Sequence, residues 1–219
     1  AEDARATAPG MAAVTSAFLC YLKAGDHVLS SRALFGSCRY IVEELLPRFG
    51  VTSTLVDGRD LDAWKGAVQP NTRMVFLETP SNPTLEIIDI KAVADIAHEA
   101  GAKLIVDNVF ATPVLQRPME LGADIVVYSA TKHIDGQGRC LGGAVLADQQ
   151  FIADYLANFL RQTGPSLSPF NAWVMLKSLE PLDLRVRDPS RNSDRGARFR
   201  EGHGGMGRGF CPGRPSHPS

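Results

Sequence analysis

No apolar run in this sequence approaches the roughly 20 residues needed to cross a bilayer. The opening Ala1-Glu2-Asp3-Ala4-Arg5 is not a signal peptide. The four cysteines (Cys20, Cys38, Cys140, Cys211) form no C-x-x-C pair. They also stand at no ligand spacing from His27, His98, His133, His203 or His217. That argues against a metal site and for reduced, mostly buried thiols in a cytosolic protein. Neither charge is in excess: 23 Lys and Arg stand against 24 Asp and Glu, so no nucleic-acid or acidic-membrane partner is indicated. No G-x-G-x-x-G follows a strand and opens a helix, which weakens a nicotinamide-binding reading. The first residue is not Met, which suits a start inside a longer protein.

A second absence is local. Residues 188–219 contain no Leu, Ile or Val, while holding 7 Gly, 4 Pro and 6 Arg against 3 acidic residues. Such a composition buries too little surface to order itself. The expectation is one large domain over residues 1–187 and an irregular Gly/Arg/Pro-rich tail over 188–219.

Before that boundary, short apolar segments alternate with helical ones. Helices are expected from Met11 to Ala24 (stopped by Gly25), Cys38 to Phe49, Leu61 to Val68, Asp89 to Ala100 (stopped by Gly101), Gln149 to Arg161 and Phe170 to Leu182. Strands are expected at 27–30, 52–56, 73–78, 103–106, 124–128 and 144–146. The unbroken apolar character of 73–77 marks a strand covered on both faces. The alternation predicts an α/β fold whose mostly parallel sheet has helices on both sides. Sheets of that kind place their sites beyond the carboxyl ends of the strands. Glu78, Asn82, Asp107, Asn108, Ser129, Thr131 and Lys132 all fall there.

Lys132 is the centre of the reading. It follows a buried strand, sits between hydroxyl residues in Ser129-Ala130-Thr131-Lys132, and leads into a loop punctuated by Gly136, Gly138 and Gly142-Gly143. An amine reaching inward from such a loop can serve as a nucleophile, and neighbouring hydroxyls can hold a phosphate. That pairing suits a lysine that condenses with pyridoxal phosphate (PLP). Pro9-Gly10 opens a helix whose first amides can face an anion. Each feature alone has a plainer explanation: a surface lysine on a turn, an ordinary cap at Gly10, a helix cap at Asp107, core packing for Phe35 and turn formation for Asn82.

Taken in order, Gly10-Met11-Ala12-Ala13, the turn Glu78-Thr79-Pro80-Ser81-Asn82-Pro83, Val106-Asp107-Asn108 and Ser129-Ala130-Thr131-Lys132 resemble the Cys/Met-metabolism family of PLP enzymes over roughly residues 7–187. The resemblance implies the large domain of an aspartate-aminotransferase-like (fold type I) protein. It implies that Lys132 holds PLP and shuttles protons, and that Asp107 pairs with the ring nitrogen. Gly10 and Met11 would offer amides to the phosphate, and Ser129 and Thr131 hydroxyls. Phe35 matches a ring-stacking position often held by tyrosine, and Asn82 a residue near the cofactor oxygen and substrate carboxylate. Leu34-Phe35-Gly36-Ser37 and His133-Ile134-Asp135-Gly136-Gln137-Gly138-Arg139 are similar to the branch that replaces the succinyl group of O-succinylhomoserine with sulfide to give homocysteine. A cystathionine γ-synthase or γ-lyase reaction, or an inactive structural remnant, is the alternative. Intact members are expected to be dimers or tetramers.

The chain also departs from the family pattern. Pro9 replaces a serine and lacks an amide hydrogen. The N-terminal arm and the C-terminal small domain, which carries the arginine that grips the substrate carboxylate, are missing. Residues 188–200 match nothing in the family, whereas Cys211-Pro212-Gly213-Arg214-Pro215-Ser216-His217-Pro218 look like its stretch just past the large domain. A locally shifted reading frame, or a damaged gene copy, would produce that pattern. The expectation is a large-domain core that catalyses poorly alone.

Overall fold

A computed structural model of the protein describes residues 1–201. It contains a seven-stranded sheet: β1 (Asp3–Thr7), β2 (His27–Ser31), β3 (Thr52–Val56), β4 (Thr72–Glu78), β5 (Lys103–Asp107), β6 (Ile125–Ser129) and β7 (Gly143–Ala147). The spatial order is β1-β7-β6-β5-β4-β2-β3. Strands β3, β2, β4, β5 and β6 run parallel, and β7 and β1 are antiparallel to their neighbours. The helices between strands are α1 (Gly10–Leu19), α2 (Gly36–Tyr40), α3 (Leu61–Ala67), α4 (Ile90–Glu99) and α5 (Thr112–Leu115). After the sheet come α6 (Gln149–Phe151), α7 (Ala157–Thr163), α8 (Pro169–Leu179) and α9 (Leu182–Glu201). A π turn and a 3-10 turn carry the α2 segment on to Phe49, and a π turn joins α6 to α7.

Side-chain alternation explains why the central strands read as continuous apolar runs. Met74 and Phe76 of β4, Ile105 of β5 and Val127 of β6 join one buried layer with Ala13, Ala17 and Phe18 of α1 and with Phe151 and Ile152. Val75, Leu77, Leu104, Val106 and Val126 point the other way, onto Trp64 of α3 and Val93, Ala94 and Ala97 of α4. Both faces are covered, so nearly every position of the central strands is core, the exceptions being Arg73, Lys103 and Ser129 near their ends. Local chemistry fixes the helix starts. Asp60 accepts from the amides of Asp62 and Ala63 at 3.0 Å, and Asp89 from that of Ala92 at 3.0 Å.

Besides α1 ending at Leu19 rather than running on to Gly25, the structure departs from the expected pattern in two places. Asp3–Thr7, to which the sequence assigns no element, forms the edge strand β1, pairing Asp3 to Ala147 through Thr7 to Gly143. Its polar DARAT sequence carries little strand signal, and pairing with β7 supplies the order. The boundary at 187 is the second difference. Helix α9 runs through it from Leu182 to Glu201, so residues 188–201 are helical rather than irregular. Buried Leu182 and Val186 anchor its first turns. Pairs one turn apart, Arg187–Asp183 at 2.8 Å and Arg198–Asp194 at 2.8 Å, bridge its exposed surface. The composition lacks the apolar residues of a core, but it does not lack those pairs. The remainder of the expected tail, with Cys211, His203 and His217, lies outside the described residues. Cys20, Cys38 and Cys140 are free thiols, the last two buried. Among the described residues no helix is long and apolar enough to cross a membrane, and no cluster of potential metal ligands occurs.

Candidate active site

Three adjacent parallel strands end on polar residues at one edge of the sheet: β4 on Glu78, β5 on Asp107 and β6 on Ser129. The register sets Glu78 beside Asp107 and Asp107 beside Val127. Helix α1 begins against the end of β6. A methyl group on Gly10 would stand 2.5 Å from Ser129 Cβ and 2.6 Å from its Oγ, so only glycine permits this approach. Ala12 and Ala13 donate their amides to the Pro9 carbonyl at 3.1 and 3.4 Å. The amides of Gly10 and Met11 have no carbonyl one turn back to receive them, as at any helix start.

These elements enclose a cavity of about 480 Å³. All eight residues singled out from the sequence, Gly10, Met11, Phe35, Asn82, Asp107, Ser129, Thr131 and Lys132, line it. Sequence reasoning left out Cys38, His133, Phe110 and Leu141, which also form its walls. Lys132 borders the cavity yet stays exposed, because its loop lies beyond the strand end rather than under a covering element. Thr131 differs from the simple picture of a spare hydroxyl. Its Oγ1 accepts from the Gly142 amide at 3.1 Å and donates to the Gly142 carbonyl at 3.3 Å. To donate to an anion it must release that second, longer bond. Ser129 Oγ has no such partner among the described residues.

Burial governs the electrostatics. Asp107 is 6% exposed, and desolvation pushes its carboxyl up to about 6. The Val109 amide (3.0 Å to Oδ1) and the Cys38 thiol (3.8 Å to Oδ2) partly offset this. No cation of the described residues forms an ion pair with it. Burial, then the charge of Asp107, pushes Glu78 up to about 7. Burial raises the Cys38 thiol as well, reinforced by Asp107 and Glu78. Desolvation lowers His133, with the Arg185 guanidinium adding to it.

Glu78 does more than end a strand. Its Oε2 accepts from the Phe35 amide at 2.6 Å and its Oε1 from the Asn82 amide at 3.0 Å. One carboxylate therefore ties together the loops after β2 and β4, which carry two wall residues. A charged residue closing an otherwise apolar strand was the available signal. Its pairing with Phe35, 43 positions away, was not legible in the sequence.

A buried carboxylate without a cation, an amine, a free hydroxyl and unpaired helix amides share one chamber at the carboxyl end of a parallel sheet. The fold is that of the large domain of fold type I PLP enzymes. The family model for the Cys/Met metabolism PLP-dependent enzymes matches residues 1–219, so the match includes residues 188–200, contrary to the expectation that they fall outside the family pattern. The chain belongs to that family. Its curated relatives include O-succinylhomoserine sulfhydrylase of Mycobacterium tuberculosis, 51% identical over 218 residues, with 100% of this chain and 54% of that protein covered. The O-succinylhomoserine sulfhydrylase of Pseudomonas aeruginosa is 47% identical over 218 residues, with 100% and 54% covered. Among solved structures, cystathionine gamma-lyase from Lactobacillus plantarum complexed with L-serine superposes with a TM-score of 0.93 at 32% identity, covering 98% of this chain and 56% of that one. The chain thus spans about half the length of the relatives it matches.

Proposed function

We propose that this chain supplies the PLP-binding part of an enzyme that replaces the succinyloxy group on the γ-carbon of O-succinylhomoserine with sulfide, forming homocysteine and releasing succinate. The observation that carries the reading is the shared cavity of Asp107 and Lys132, an unpaired buried carboxylate and an amine on the same walls. The 51% identity to a sulfhydrylase supports the choice of reaction.

The donor set fits the cofactor. Gly10 and Met11 amides and the Ser129 hydroxyl form a small anion cradle, closed tightly enough that a methyl on Gly10 would fill it. Asp107, costly to bury as an anion, gains a partner in a protonated ring nitrogen. When bound, PLP supplies an aldehyde that takes up amines and a ring that withdraws electrons from bonds at the substrate α-carbon. The chain's own residues do the rest. Asp107 holds a proton at the ring nitrogen. Lys132 Nζ would hold the cofactor's aldehyde end, and the same amine is the group placed to accept the substrate α-proton. The Phe35 ring would form one wall of the cofactor's chamber, and Asn82 would serve the substrate carboxylate side. Glu78 fixes both of those residues by their backbones.

A lyase reading is favoured by the close superposition on cystathionine gamma-lyase. The alternative of another class is a structural remnant that docks on intact subunits. Turnover of the 219-residue chain well below that of a full-length relative is expected. The test is a product assay with O-succinylhomoserine and either sulfide or cysteine, beside a Lys132→Ala control. Homocysteine made from sulfide and lost in the control supports the proposal. Cystathionine made only from cysteine sinks the choice of reaction. A visible cofactor band without product in either arm identifies a PLP-binding remnant.

A further inference from the structure

Lys132 owes its position to a loop, and that loop has few apolar anchors. Between β6 and β7 the chain makes turns at Gly136 and Gly138, both with positive φ (73° and 67°). Only a small apolar cluster, Ala130 and Cys140 with Val174 and Met175 of α8, lies beneath it. Its shape is set by polar contacts instead. Asp135, fully buried, braces the loop from within, accepting from the Arg139 amide at 2.7 Å and Arg139 Nε at 3.1 Å.

A second brace comes from outside. Arg185, on the first turn of α9, donates Nη1 to the His133 carbonyl at 2.7 Å and Nη2 to the Ile134 carbonyl at 3.1 Å. The same Nη2 reaches the Ser178 carbonyl, at the end of α8, at 2.5 Å. Ser178 Oγ in turn accepts from Arg139 Nη2 at 2.5 Å. The guanidinium therefore pins the two residues that follow Lys132 to the corner between α8 and α9. Loop and arginine are shaped to each other, since a methyl group on Gly136 would collide with the Arg185 guanidinium. A planar fork with five donors suits several carbonyls at once, which a lysine ammonium cannot reproduce.

We propose that Arg185 is a positioning residue for Lys132: by bridging the carbonyls of His133, Ile134 and Ser178 it locks the lysine-bearing loop to the α8–α9 corner and fixes where the ε-amine enters the cavity. This rests on the reading of Lys132 as the cofactor-bearing amine. It places part of the site's precision in a helix that does not line the cavity.

The test uses the full chain with Arg185→Ala, Arg185→Lys and, as a control on the same helix, Arg187→Ala. Hydrogen exchange at amides 133–139 without cofactor reads the loop. PLP titration followed by the visible band, with Lys132→Ala as blank, reads the amine. Faster exchange and roughly tenfold weaker PLP binding are expected for Arg185→Ala, from the loss of charge-assisted hydrogen bonds. A shifted pH midpoint of the visible band, only partial rescue by Arg185→Lys and wild-type behaviour of Arg187→Ala are expected with it. If Arg185→Ala does not fold, Gly136→Ala displaces the guanidinium while keeping its charge, and the same loosening is expected there. Unchanged exchange, or faster exchange with unaltered PLP binding and band midpoint, overturns the proposal. A wild-type chain without a Lys132-dependent band would sink the cofactor reading instead. The loop lock is then decided by exchange alone, faster exchange supporting it and unchanged exchange overturning it.

Discussion

Replacing Asp107 with Asn should stabilise the cofactor-free protein while weakening its hold on PLP. The carboxyl is buried, and folding moves its pKa from 3.8 to about 6. Below pH 3.8 it is protonated in both folded and unfolded chains, and burial costs nothing through ionisation. Between 3.8 and about 6 the unfolded chain gives up the proton and the folded one keeps it, so stability falls as pH rises. Above that window the penalty is constant, at about 3 kcal/mol from roughly two pKa units. Asn removes the charge and can still accept from the Val109 amide, which now meets Oδ1 at 3.0 Å. Relief of the repulsion on Glu78 adds to the gain in the same direction. Urea unfolding of cofactor-free wild type and Asp107→Asn should therefore show a stabilisation of up to about 3 kcal/mol at pH 7.5 that shrinks below about 1 kcal/mol by pH 4. A PLP titration at pH 7.5 should show weaker binding by the same variant. A variant less stable than wild type at pH 7.5, or a gain that does not change with pH, would refute the reasoning that desolvation dominates this carboxylate.

Two further outcomes test the scaffold around it. Gly10→Ala should cost about 1–3 kcal/mol in urea unfolding, because the new methyl overlaps the Ser129 backbone and forces α1 away from β6. PLP affinity should drop with it, and an unperturbed variant would remove the case for a tight cradle. Trp64→Ala should cost about 3–5 kcal/mol and leave PLP affinity per folded molecule unchanged. The indole is fully buried on the sheet face covered by α3 and α4, with Nε1 donating to the Gly58 carbonyl at 3.0 Å. A loss under about 1 kcal/mol would mean that this layer repacks freely.

The sequence by itself determined the parallel core of the architecture and eight residues of the candidate site's lining, though not Cys38, Phe110 or Leu141. Apolar runs such as Met74-Val75-Phe76-Leu77 read as strands buried on both sides, and the glycine after Ala100 stops α4, whereas α1 ends at Leu19, short of the stop expected at Gly25. Parallel strands then bring their carboxyl ends to one edge, which is why Asp107, Ser129 and Lys132 could be placed together before any distance was known. Strand β1 and the helical stretch 188–201 escaped because their order comes from a partner strand and from ion pairs one turn apart, not from apolar periodicity. Tertiary structure alone decided the clamps and the charges. Glu78 meets the amides of Phe35 and Asn82, and Arg185 meets carbonyls some fifty positions upstream, because contacts between loops depend on how the layers stack. The raised carboxyls of Asp107 and Glu78 depend on the water excluded around them, and that volume exists only once both faces of the sheet are covered.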